Sequence, residues 1–122
     1  MIRSLYTAAT GMLAQQINQD VVANNLANVQ TTGFKSSRAE FQDLMYQISR
    51  QAGVETTSGT ALPLGMEVGL GSKLTSIQKS FTQGDYQQTG NRFDWAIEGD
   101  GFFQVDDGNG KTLYTRAGSW KI

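Results

Sequence analysis

The first thirty residues form one long run without proline in which apolar side chains return at helical spacing. Ile2, Tyr6, Ala9, Leu13 and Ile17 mark the stripe, Leu5 and Met12 widen it, and Val21, Val22, Leu26 and Val29 carry it onward. The steps average near 3.6, which predicts a helix over residues 2 to about 30. Gly11 is its weak point, costing ~1 kcal/mol relative to alanine. Gly33 is a natural stop, because glycine adopts the left-handed conformation that follows a helix end. Isolated helices are marginal in water, and burying one stripe against a few strands offsets only part of the entropy lost on ordering it. The helix is therefore expected to need a partner from outside these 122 residues.

Beyond the helix the patterns change. Ser37 followed by Glu40 matches a capping box, and Phe41, Leu44, Met45 and Ile48 predict a short helix, with an extended segment over residues 37–50 as the alternative. From Gly53, "GVETTSGTALPLGMEVGLG" is rich in Gly, Thr and Ser and holds the only proline, Pro63; it reads as looped or extended chain with short strands. "KLTSIQKSF" alternates as a strand, and "WAIEG" and "GFFQVDD" read as strands split by a turn at Gly99, Asp100 and Gly101. "DDGNGK" reads as a hairpin turn before "TLYTR". The expected fold is α+β: a long N-terminal helix over 1–34, a connecting linker or hairpin over 35–72, and a β-rich domain over 73–122.

The residue inventory excludes much chemistry. With no histidine and no cysteine, the usual zinc sites, thiol nucleophiles, disulfides and histidine triads are absent. A formal charge of −1 gives no basic excess to neutralise phosphates, so nucleic acid is not an expected partner. No apolar run approaches the ~18 residues of a membrane span. The start, "MIRSLYTAATGMLAQQ", is interrupted by Ser4, Thr7, Thr10 and Gly11, so no cleavable secretory signal is expected.

Three short motifs fail on inspection. "GLGSK" at Gly69–Lys73 lacks the Gly-Lys-Ser/Thr order of a phosphate loop, and a strand pattern follows it. "DDGNG" at Asp106–Gly110 has glycine where a calcium loop needs its third ligand. "SIQK" matches the bare S-x-x-K pattern of acylating serine enzymes without its companion motifs; in an alternating strand Ser76 and Lys79 point to opposite faces. No catalytic, cofactor-binding or metal residue is expected.

The end of the helix, "VVANNLANVQTTGFK", is the unusual part. Asparagine weakens a helix because its amide competes for backbone hydrogen bonds, yet Asn24, Asn25 and Asn28 stand together. They are either polar residues where a helix frays into water or amides that bond a neighbouring helix or loop and fix its register. Asn24 and Asn28, four apart, share a face.

This stretch, following "LYTAATGMLAQQ", resembles the N-terminal signature of bacterial flagellar rod and hook proteins, with Asn24, Asn25, Leu26, Ala27, Asn28, Gly33, Phe34 and Lys35 all matching. "AIEGDGFFQVDDGNGKTLYTRAGSW" resembles the β region of the same family through Gly99, Gly101, Phe102, Phe103, Tyr114, Thr115, Arg116 and Gly118. Within the family, "RAEFQDLMYQ", the stretch Tyr46 to Pro63 and "GMEVGLG" look like distal-rod members, with proximal rod and hook members as the alternatives.

The resemblance implies a non-enzymatic axial protein that stacks helically in the basal body, in the periplasm towards the outer membrane, and transmits torque from motor to hook. It implies a coiled-coil inner core of terminal helices and export unfolded through the flagellar type III apparatus. Its implied partners are copies of itself, proximal rod proteins, the hook or hook–rod junction and surrounding ring proteins. Its implied interface residues are Ile2, Leu5, Ala9, Met12, Leu13, Asn24, Asn25, Leu26, Asn28, Gly33, Phe34 and Lys35. The family runs on to a second apolar helix, whereas this sequence ends at "SWKI" inside a strand pattern; the β-rich domain is expected to be incomplete and that second helix to be the missing partner. Two readings from other classes are a secreted enzyme acting on the cell wall, which needs a catalytic acid in a cleft, and a free adhesin-like β domain.

Overall fold

A computed structural model describes residues 1–53, Gly59 and 63–121. It holds one helix, α1 (Ile2–Ala27), and six strands: β1 (Ser37–Asp43), β2 (Tyr46–Arg50), β3 (Met66–Gly69), β4 (Ser72–Lys79), β5 (Phe103–Asp106) and β6 (Thr112–Thr115). The 26 residues of α1 span about 39 Å at the α-helical rise. The helix stops short of the predicted residue 30. Tighter bonds take over, from Val29 N to Leu26 O at 3.3 Å, Thr31 N to Asn28 O at 3.0 Å and Phe34 N to Thr31 O at 3.2 Å. Gly33 ends this turn at φ 71°, in the left-handed conformation its position predicts.

The strands pair as three two-stranded sheets, β1 with β4, β2 with β3 and β5 with β6. β2 and β3 run antiparallel with Tyr46 opposite Gly69 and Ile48 opposite Glu67, and an irregularity falls between Ile48 and Arg50. The Tyr46 ring covers Gly69: a Cβ there would lie 3.3 Å from Tyr46 Cε1. β5 and β6 form the predicted hairpin, Phe103 opposite Thr115 and Asp106 opposite Thr112. Its loop is closed by Asp107 N donating to Lys111 O at 3.1 Å and Gly108 N donating to Asp106 Oδ1 at 3.1 Å.

Over residues 37–50 the structure takes the extended alternative, and one strand expectation is overturned. The helix predicted through Phe41, Leu44, Met45 and Ile48 is instead the strands β1 and β2. Ser37 cannot cap a helix there because its N–H and C=O are both taken by the Asn25 amide. Eight residues of helical pattern are also too few to offset nucleation, whereas an extended chain finds a ready partner: Leu44 N donates to Gly71 O at 2.8 Å beyond the β1–β4 pairing. "WAIEG" is not a strand. Only an isolated bridge between Asp94 and Ser119 forms at its edge, and the carbonyls of Ile97 and Gly99 go to the Arg116 guanidinium rather than to a ladder.

The chain divides into two compact units, Met1–Val21 with Ala39–Gln78 and Val22–Arg38 with Lys79–Ile122. Neither has an apolar core: among the described residues no hydrophobic side chain is buried. In the first unit the backbone comes close to the helix at Gly71, where a Cβ would sit within 2.3 Å of Thr10 Oγ1. In the second, Gly118 is buried, and ring contacts join Phe81 to Phe102 at 5.8 Å and Phe103 to Trp120 at 6.0 Å, both edge-on.

Candidate subunit interface

At about 100° per residue, Thr7, Thr10, Gly11, Ala14, Ile17 and Val21 fall on one side of α1, and all six are half-buried. These are mostly small or hydroxylated residues, and at one of them, Thr10, the first unit's chain comes close through Gly71. Ile2, Leu5, Ala9, Met12 and Leu13 fall within an arc of about 100° on another side, and all are exposed; Ile2 keeps 70%, Leu5 69% and Met12 69% of its surface in water. Past Leu13 the same arc continues as Gln16, Asp20, Ala23 and Ala27, so its large apolar side chains lie only in the first turns. Val22 and Leu26 are exposed on a further side, about 110° round the axis. The helix thus spends its small side within its own molecule and leaves two apolar surfaces open.

The asparagine cluster divides by role. Asn25 Nδ2 donates to Ser37 O at 2.7 Å and Asn25 Oδ1 accepts from Ser37 N at 2.9 Å. One side-chain amide thus satisfies both backbone groups of the residue that opens β1, as a paired strand would. Asn28 Nδ2 donates to Asn24 O at 2.9 Å, and Asn28 Oδ1 accepts from Thr31 Oγ1 at 3.2 Å; together they close the helix end, where carbonyls otherwise lack partners. The Asn24 side chain has no hydrogen bond among the described residues and lies exposed. Leu26 is 72% exposed.

Within the second unit, the turn then packs against the segments around Ser80 and Ala117. A Cβ on Gly33 would lie 2.6 Å from Ala117 N, so only glycine allows both the left-handed backbone and this approach. Phe34 and Lys35 are half-buried. Lys35 Nζ donates to Thr82 O at 2.9 Å, and Ser80 N donates to Ser36 O at 2.8 Å.

Arg116 is the residue that sequence reasoning passed over as a structural centre. Its guanidinium donates to Gly101 O, to Gly99 O at 2.5 Å, to Gln83 Oε1 at 3.0 Å and to Ile97 O at 3.3 Å. The planar fork reaches separate acceptors at once, and it holds residues 83–101 against β6 without a hydrophobic core. The sequence signal was an arginine at a predicted strand end, two residues before Gly118 and downstream of the turn glycines Gly99 and Gly101. Gly118 itself is pressed against Trp95, whose N–H donates to Gly118 O at 2.9 Å.

The helix with its asparagine end and the Arg116-centred segment are the two parts that correspond to known families. Residues 5–35 match the family described as flagella basal body rod protein, and residues 96–122 match the flagellar hook protein FlgE/F/G D1 domain. The flagellar basal-body rod protein FlgG of Borreliella burgdorferi is 53% identical over 122 residues, 100% of this chain and 46% of that protein. The chain belongs to the flagellar rod and hook family. Other members are similar over the same span. FlgG of Caulobacter vibrioides is 45% identical over 120 residues, 98% of this chain and 46% of that protein. The flagellar hook protein FlgE of Treponema pallidum is 45% identical over 123 residues, 100% of this chain and 26% of that protein. The chain spans about half the length of the rod relatives and about a quarter of the hook relatives. Among the described residues no helix is long and apolar enough to cross a membrane.

Proposed function

We propose that the protein is a non-enzymatic structural subunit of the flagellar distal rod, assembling helically into the shaft that carries torque from motor to hook. The observation that carries this reading is the exposed apolar arc of α1, Ile2, Leu5, Ala9, Met12 and Leu13, on a chain aligned end to end with rod proteins. Exposed apolar patches of this kind mark association sites, and a heterologous contact that does not close builds an open filament. This arc packs against terminal helices in an inner core. Asn24, Leu26 and the turn at Gly33–Lys35 meet adjacent subunits, while Asn25 and Asn28 hold the helix end in the shape that presents them. The partners are further copies of the chain, proximal rod proteins, the hook or hook–rod junction, the surrounding rings and the export apparatus. The place of work is the periplasmic rod towards the outer membrane.

Rod is preferred to hook because the rod relatives reach 53% and 50% identity where the hook relatives reach 45%. A hook or proximal-rod subunit is the second reading, supported by the hook-type match over 96–122. Residues Tyr46 to Pro63 lie against neighbours and limit bending of the shaft. Their first part is β2, while 54–58 and 60–62 lie outside the described residues.

The test uses the full-length protein in a motile bacterium. Leu5→Asp with Leu13→Asp should abolish motility and leave basal bodies arrested before this subunit, while volume-conserving Leu5→Met should not. Normal rods in the doubly charged variant would refute the helix-packing role. Gold label on hooks instead of rods would transfer the assignment to the hook, and deletion rods lacking 46–63 that stay as straight as before would remove the bending role.

A further inference from the structure

The chain has six asparagines, and only Asn109 is followed by glycine. It stands in the hairpin loop between β5 and β6, exposed to solvent. Among the described residues its side chain takes part in no hydrogen bond, in contrast to Asn25, Asn28 and Asn91, whose amides are each engaged. Gly110 sits at φ 79°, and the space where a Cβ would stand is open, with nothing within 4 Å. The loop is closed by the bonds of Asp107 and Gly108, and neither uses the Gly110 N–H.

We propose that Asn109 is a site of spontaneous deamidation. The Gly110 backbone nitrogen, on losing its proton, attacks Asn109 Cγ, and the side-chain nitrogen leaves as ammonia to give a five-membered succinimide. Water then opens the ring at either carbonyl, yielding aspartate or isoaspartate. No oxidant or enzyme is required. Glycine suits the step because it places no Cβ against the closing ring, and asparagine is among the thermolabile residues for this chemistry. The fold supplies what sequence does not: a free amide, a free nucleophile and an open approach. Each conversion adds one negative charge to a loop that already holds Asp106 and Asp107.

The test is to incubate the purified chain in mildly alkaline buffer at physiological temperature, beside a short peptide spanning residues 106–112. Peptide mapping should find the mass change of an amide becoming an acid at Asn109 before any other asparagine, with isoaspartate in the product and a rate that rises with pH. Conversion in the folded chain should come within about tenfold of the peptide, equal to a barrier difference of about 1.4 kcal/mol. Asn109→Gln should abolish it without disturbing the hairpin. An intact Asn109 after the peptide has fully converted, or faster reaction at another asparagine, would overturn the proposal.

Discussion

Adding one methyl group at Gly118 should undo much of the second unit. A Cβ there would stand 1.7 Å from the Trp95 carbonyl oxygen, 2.9 Å from the Trp95 carbonyl carbon and 3.2 Å from Phe103 Cε2. Two of those three neighbours are backbone atoms, so no rotamer change relieves the overlap. The Trp95 segment must move away, and the bond from Trp95 N to Gly118 O at 2.9 Å is lost with it. Overpacking costs about 1–3 kcal/mol, and the lost hydrogen bond about 1 kcal/mol more. Gly118→Ala is therefore expected to cost about 3 kcal/mol, enough to open residues 94–119 where no apolar core resists it. Gly84→Ala is the matched control, because a Cβ there meets nothing within 4 Å. Amide hydrogen exchange of the two variants, read at the Trp95 N–H, reports the opening free energy directly. Unchanged Trp95 protection in Gly118→Ala would refute the close-approach reasoning.

Other substitutions separate the roles assigned above. Asn25→Ala leaves both backbone groups of Ser37 unpaired and should cost about 1–2 kcal/mol, read as faster exchange at Ser37. Asn24→Ala should leave the stability of the chain within ~0.5 kcal/mol and weaken assembly instead, visible as shorter or fewer rods. Arg116→Lys retains the charge but cannot reach the Gln83, Ile97, Gly99 and Gly101 acceptors together; about 1–2 kcal/mol should be lost, measured as faster exchange over residues 97–101. Gly11→Ala has open space at its Cβ and should raise the helicity of α1 by about 1 kcal/mol, measured by circular dichroism.

Periodicity alone located α1, because a 3.6-residue repeat with no proline leaves few other conformations, and it located the β5–β6 hairpin, because the glycines of "DDGNGK" supply the positive φ its loop requires. It also picked out the apolar stripe that the described residues leave exposed. Periodicity left residues 37–50 open between helix and extended chain: the spacing of Phe41, Leu44 and Ile48 fits a helix, but the backbone partners lie in β4, β3 and the Asn25 amide.

The asparagine cluster was legible as a feature and not as a division of labour. Only the tertiary structure decided that Asn25 completes β1, that Asn28 closes the helix and that Asn24 remains free. The same holds for Arg116, Gly33 and Gly118, whose importance rests on backbone segments brought close from far along the sequence. Local sequence fixes local periodicity and turn chemistry because those depend on neighbouring residues. Which hydrogen-bond acceptor or backbone atom stands opposite a given side chain is set by long-range pairing, and that is determined only when the chain has folded.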